Sequence, residues 1–268
     1  MTDAFRPARR ASASPTLSET PEIQRVAFAA PFAWLAAGWR DLWTAPQISL
    51  AYGAIFSAFA LAIAIQLSRI EALPLLLPLA GGFLLVGPIL AGGLYEISRR
   101  HERGQSVTFR DILLSGSAVR GQIAFFGVVL LILFFFWIRV ALLLFMFFFG
   151  LGPAAFPPLA DFLHVLLFTE HGQGLLVTGT AVGAVFAAVV FAMSAISVPM
   201  IFDRNVDTVT AMITSLRAVS RNLPAMALWA VLIVALTVIG LAAFFVGLAI
   251  TFPLIGHATW HAYKALVK

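Results

Sequence analysis

Residues 122–149 read QIAFFGVVLLILFFFWIRVALLLFMFFF. The run holds a single charge, Arg139, and exceeds the roughly 20 apolar residues a helix needs to cross a hydrocarbon core. Five further apolar runs accompany it, at 47–68, 72–97, 174–202, 225–239 and 242–263. The basic residues sort cleanly between them. Arg6, Arg9, Arg10, Arg25 and Arg40 precede the first run, and Arg99, Arg100, Arg103, Arg110 and Arg120 lie between the second and third. Arg204, Arg217 and Arg221 lie between the fourth and fifth, and Lys264 and Lys268 end the chain. Of the 17 Lys and Arg, only Arg69 and Arg139 fall elsewhere. Lys and Arg that flank spans are retained in the cytoplasm, so this asymmetry predicts six spans with both termini inside.

Composition excludes a soluble domain. The chain is 61% hydrophobic and 11% charged, with a mean hydropathy of +0.99, against about 45–50% and about 25% for globular proteins. The pI of about 10.4 would point to nucleic acid in a soluble protein. Here the positive charge faces anionic lipid, and no nucleic-acid partner is expected. With no cysteine, disulfides and thiol chemistry are excluded. Residues 1–25, rich in Ser, Ala, Pro and charge, read as a disordered cytoplasmic arm, and 26–268 as one membrane domain.

The region from Ala225 to Ala265 decides between five spans and six. Five would leave Lys264 and Lys268 outside. A local resemblance also favours a hairpin. Residues 82–96, GFLLVGPILAGGLYE, align with 247–261, GLAITFPLIGHATWH, so that Gly, Pro88 with Pro253, and Tyr95 with Trp260 coincide. Pro199 occupies a similar place in the fourth run, and Pro88, Pro199 and Pro253 each predict a helix kink, because proline leaves one carbonyl without its helical donor. Each odd-numbered run also follows a short amphipathic segment. The first spans 31–44, with Phe32, Leu35, Trp39 and Leu42 or Trp43 at helical spacing. The second opens on Thr108 and Asp111 at capping-box spacing, and the third on Asp207 as an N-cap. The expected fold is all-α: a polytopic membrane protein of six transmembrane helices, arranged as three parallel-related hairpins, with short cytoplasmic interfacial helices. Trp39, Trp43, Tyr95 and Trp260 are the expected interfacial anchors.

Few residues offer chemistry. Arg139 lies about 25 Å along the third run, nearer its outer end, where it can reach the interface. The alternative is an anion or partner contact with Asp161 or Glu170 of the outer loop. His257 and His261 share a helix face at i, i+4 and could hold a metal or haem, but no acid or thiol stands beside them in a ligand pattern. His164 and His171, near Asp161 and Glu170, give an equally weak signal. Glu96 reads as an ion-pair partner of Arg99 or Arg100. No Walker A, GxSxG, HExxH or GxGxxG motif occurs. The outer loop 150–173 reads as a half-buried interfacial turn.

Residues 38–46 (GWRDLWTAP), 93–104 (GLYEISRRHERG) and 254–263 (LIGHATWHAY) together resemble a bacterial integral-membrane family, domain-of-unknown-function family 2189, over about 26–268. The resemblance implies a bacterial inner-membrane protein with no established activity and supplies no functional residues. Some members carry a cytochrome-oxidase label, but this chain lacks the several mid-span histidines of a haem–copper core. The reading is a non-enzymatic accessory or scaffold subunit without cofactor, in contact with membrane lipid and another integral membrane protein. The alternatives are a small-solute or lipid transporter, and a redox subunit using His257 and His261.

Overall fold

The computed structural model describes residues 21–70, 75–115, 119–150, 159–204 and 206–268. Their regular structure is helical: α1 (Ala30–Thr44), α2 (Pro46–Arg69), α3 (Leu76–Leu90), α4 (Gly92–Glu102), α5 (Phe109–Ser115) and α6 (Arg120–Phe149), then α7 (Leu159–Phe168), α8 (Glu170–Ser194), α9 (Ser197–Arg204), α10 (Thr208–Arg221), α11 (Leu223–Ala242) and α12 (Leu248–Leu266). Local chemistry sets many of the boundaries. Proline occupies the first turn of α1, α2 and α11, where a missing N–H is harmless. Thr108 and Asp111 close a reciprocal capping box before α5. The Asp207 carboxylate accepts from the Thr210 N–H at the start of α10, and Thr169 caps α8 through the Gly172 N–H.

Five stretches are long and apolar enough to cross a membrane: Pro46–Arg69, Leu79–Glu102, Arg120–Phe149, Glu170–Arg204 and Leu223–Ala242. They correspond to the first five expected runs. Two of them bend. The helix breaks at Ala91, three residues after Pro88, and the Leu90 carbonyl is taken by the Tyr52 hydroxyl at 2.7 Å. It breaks again at Ala195–Ile196, just before Pro199, where the Ile196 N–H donates to Ser215 Oγ of α10. Both bends therefore recover polar partners from neighbouring helices, as a broken helix in an apolar setting requires. Pro253 lies inside α12, and its ring packs at Gly53 of α2.

The last expected run, 242–263, needs correction. Helix α11 continues to Ala242, the turn occupies 243–247, and α12 is not among the helices apolar enough to span by composition. Gly240 lies within α11 and packs backbone to backbone against Gly247, where an added Cβ would stand 2.9 Å from the Gly240 Cα. The reversal falls on Phe244 and Phe245, both at positive φ, a conformation costly for bulky residues. Helix α12 can be polar because it is central. It packs against α1, α2, α4 and α11, and more than half of its residues are buried. Protein groups, not lipid, satisfy the polar side chains of His257, Thr259, Trp260, His261 and Tyr263.

The first and last described residues meet. Ile23 and Val267 form an isolated antiparallel bridge, Gln24 N–H donates to the Leu266 carbonyl, and Lys268 N–H to that of Glu22. Asn222, just before α11, accepts from Val26 N–H and donates to the Gln24 carbonyl. The start of α11 and the end of α12 thus lie at one level, beside the first described residues. The expected disordered arm lies outside the described residues as far as residue 20, but from Pro21 onward the chain runs against its own C-terminus.

Two packed groups make up the bundle. Helices α1, α2, α11 and α12 form one, and α3, α6 and α8 the other. They join at the end that carries most of the basic residues, through α4, α9 and α10. Helix α1 lies on α12 at Gly38, where an added Cβ would meet the Ala258 backbone nitrogen at 2.6 Å. Trp34 of α1 meets Trp229 of α11 edge to face at 5.9 Å, and Tyr52, Phe56, Phe83 and Phe252 cluster beneath.

Candidate functional site

The basic end holds a polar chain assembled from four helices, buried at Asp41, Ser49, Ser98 and His257 and open to the surface at His101. Helix α1 supplies Asp41, α2 Ser49, α4 Ser98 and His101, and α12 His257 and His261. The Asp41 Oδ1 pairs with His101 Nδ1 at 2.6 Å and its Oδ2 with His261 Nε2 at 2.8 Å. A carboxylate only accepts, so both imidazoles donate to it. His257 extends the chain, with Nδ1 2.8 Å from Ser98 Oγ and Nε2 3.0 Å from Ser49 Oγ. A neutral imidazole has one donor and one acceptor nitrogen, so its ring donates to one of these serines and accepts from the other. Burial would raise the Asp41 carboxyl, but the hydrogen bonds from His261, Ser98 and His101, with the His261 charge, outweigh it and bring it down to about 2.

A second cluster surrounds Asp203 of α9. Tyr263 donates its hydroxyl proton to Asp203 Oδ2 at 2.8 Å and accepts from Arg204 Nε at 2.9 Å. The rest of the Arg204 guanidinium donates to the carbonyls of Val267 and Lys268. Lys264 stands 3.5 Å from Asp203 and 3.8 Å from Glu102, and Trp260 Nε1 donates to Glu102 at 2.9 Å. Glu96 pairs with both Arg99 and Arg100, and Arg100 also with Asp111. These contacts fasten the C-terminal helix to α4 and α9. The Asp41 chain ends inward at Ser49, which is fully buried, so it ties helices together and offers no exit for a proton.

The expected sites map onto this as follows. His257 and His261 both belong to the chain, but His257 spends both ring nitrogens on serines and His261 Nε2 is held by Asp41. Trp39 and Trp43 are exposed and stacked edge to face at 5.6 Å, as outward anchors would be. Tyr95 and Trp260 are not outward: they are 1% and 0% exposed. Tyr95 faces inward onto Phe202, and Trp260 turns its N–H to Glu102. Arg139 is exposed on α6, and neither Asp161 nor Glu170 pairs with it among the described residues. The expected outer turn contains a helix, α7, whose Phe162 and Leu166 are buried against α8. Asp41, Ser49, Ser98 and His101 were not among the expected site residues. A signal for Asp41 existed: Trp34, Gly38, Asp41 and Leu42 recur at i, i+4, i+7 and i+8, a second face of α1 opposite the exposed tryptophans.

Between the two helix groups lies a cleft of about 520 Å³, walled by α3 and α8 on one side and α11 and α12 on the other. Its lining is apolar, with Gly87, Ala184, Ala187, Ala188, Ala230 and Gly256 flattening both walls. Tyr95, Ala195, Trp229 and Thr259 form its floor, next to the basic end.

Among known protein families, the chain matches the one described as predicted integral membrane protein (DUF2189), over residues 75–203. Over that stretch, just under half of its length, the chain is similar to this family. The matched stretch covers α3 to α9 and contains 93–104 but neither 38–46 nor 254–263, so it is shorter than the resemblance first drawn from the sequence. No curated protein and no solved structure is significantly similar to the chain.

Proposed function

We propose that this is a six-span, non-enzymatic accessory or scaffold protein of the bacterial inner membrane, with both termini in the cytoplasm. On this reading α12 is the sixth span, a central one shielded from lipid, and the hairpin it makes with α11 returns the chain to the basic side. The protein carries no cofactor and works through contact with lipid and with another integral membrane protein. The observation that carries this is the exposure of its peripheral helices. Within the chain, only 11% of the most apolar stretch of α2 and 6% of that of α6 is buried. The α6 surface presents Phe125, Phe135, Phe136 and Phe147 outward, and aromatic side chains dominate the energetics of interfaces. Photo-crosslinking residues at Phe136 and at Phe147 should capture one and the same membrane protein in cells. Adducts with lipid alone from both positions would overturn the scaffold reading.

The lipid- or solute-handling reading is favoured by one observation, the cleft between the helix groups. The redox reading would have to break the serine bonds of His257 and the carboxylate bond of His261 before either nitrogen could bind iron or copper.

A further inference from the structure

We propose that the outward face of α10 is a binding surface for anionic phospholipid, with Val209, Ile213 and Leu216 in the acyl-chain layer and Arg217 and Arg221 on the lipid phosphates. The inference deepens the lipid contact proposed above and takes its leaflet, the cytoplasmic one, from that reading. Helix α10 is polarised in the opposite sense to a helix on a water-soluble protein, which turns its apolar stripe inward. Its buried residues are Thr208, Ala211, Thr214, Ser215, Ala218 and Val219, mostly small or hydroxylated. Their hydroxyls need no water. Thr208 donates to the Gln122 carbonyl at 2.9 Å, Thr214 donates to that of Thr210 at 2.8 Å, and Ser215 Oγ accepts from Ile196 N–H at 3.2 Å. The larger side chains Val209, Ile213 and Leu216 are exposed. They recur at i, i+4 and i+7, so they form one stripe. Single exposed apolar residues are ordinary, but a stripe turned outward while hydroxyls are turned inward marks an apolar medium outside.

Charge selects the occupant. Arg217 and Arg221 follow at i+4 and i+8 from Ile213, so they flank the stripe along one side. Both are exposed, and neither has a carboxylate partner among the described residues. From Thr208 to Lys268 the chain has no acid, and Asp207, just before, spends its carboxylate on the N-cap. An apolar stripe edged by guanidinium groups fits the boundary between acyl chains and phosphates. A second copy of the same face would set arginines against arginines, which is unfavourable. Residues 1–20 are themselves net basic, with Arg6, Arg9 and Arg10 against Asp3 and Glu19. The outward apolar surface also continues past α10. Leu223 is exposed, and Asn222 binds Gln24 and Val26, which lead to the exposed Phe28 and Phe32.

The absence of native cysteine allows a local test. The full chain with Ile213→Cys, carrying a fluorophore there, is reconstituted in phosphatidylcholine vesicles. Phosphatidylglycerol or phosphatidylcholine brominated along its chains is then titrated in as quencher. Both should quench, and phosphatidylglycerol should do so at a mole fraction at least about fivefold lower, given two basic side chains near the headgroups. Adding Arg217→Gln and Arg221→Gln should make the two lipids quench alike. No quenching by either lipid would put the stripe outside the acyl layer. Equal quenching with both arginines present, or a preference that survives their loss, would remove the anionic site. Each of these results overturns the proposal. Should the arginine variant not fold, salt decides instead: about 1 M salt should cut the preference at least by half, and a preference unchanged by salt is equally fatal. A photo-crosslinking residue at Leu216 that captures a protein in cells, in place of lipid, would also overturn the assignment. The vesicles hold the same lipid in both leaflets, so the outcome does not depend on orientation. Failure here leaves the scaffold reading standing, since crosslinking at Phe136 and Phe147 tests that separately.

Discussion

Asp41 is almost wholly buried, and its two oxygens accept from histidines of α4 and α12. A buried carboxylate persists only where such donors replace water, so this one fixes where α1 sits on the other two helices. In Asp41→Asn the amide NH2 would face an imidazole N–H, donor against donor. The loss of charge-assisted bonds should destabilise the detergent-solubilised protein by about 2 kcal/mol at neutral pH. The effect has a defined pH window. The carboxyl lies at about 2 in the folded chain against 3.8 when free, so its stabilising contribution is complete above pH 3.8 and is lost as pH falls through about 2. The gap in melting temperature between parent and Asp41→Asn should therefore close between pH 4 and pH 2. A gap that persists unchanged at pH 2 would show that the Asp41 charge contributes nothing. At Arg139 the reasoning runs the other way. An exposed guanidinium far along α6 without a carboxylate partner has the geometry of a side chain that reaches an interface.

Helix α1 carries two faces, and each has a different task. Trp34, Gly38, Asp41 and Leu42 bury against the bundle, while Phe32, Trp39 and Trp43 turn away from it. Replacing Trp39 and Trp43 by Ser should leave all spans inserted, because neither ring contributes to the core, yet it should lower the depth at which a spin label on α1 sits in the bilayer. A label found in bulk water in the parent would remove the reason for the exposed face. Elements of this kind were legible in the sequence wherever the signal is local: hydropathy gave the first five long helices, and Thr108 with Asp111 and Asp207 gave the starts of α5 and α10. The turn between α11 and α12 was not, since it depends on Gly240 packing against Gly247 and on Ser57 of α2 donating to the Phe245 carbonyl. The buried polar chain was hidden for the same reason. Ser49 and His257 are 208 positions apart, and nothing local marks either serine as a partner. The cleft was hidden too, because it arises from the way two helix groups pack on each other, and sequence periodicity reports only what each helix buries.

At the scale of the molecule, the basic residues and the polar network occupy the same end of the bundle, and both described chain ends are fastened there. Arg204 binds the last two carbonyls, and Val267 pairs with Ile23. If charge sets orientation, then every part of this end lies on one side of the membrane, and the start of α8 lies on the other. The absence of native cysteine makes this directly measurable. Lys268 and Glu170 are exposed in the structure, so single Lys268→Cys and Glu170→Cys variants should fold like the parent and react freely once reached. In intact spheroplasts a membrane-impermeant maleimide should label Glu170→Cys and spare Lys268→Cys until the membrane is permeabilised. Labelling of both from outside would mean that α12 does not return the chain, and the packing of α12 at the centre of the bundle would then need an odd number of crossings. Labelling of Lys268→Cys alone would invert the whole molecule and move the basic end, with Arg217 and Arg221, to the outer leaflet.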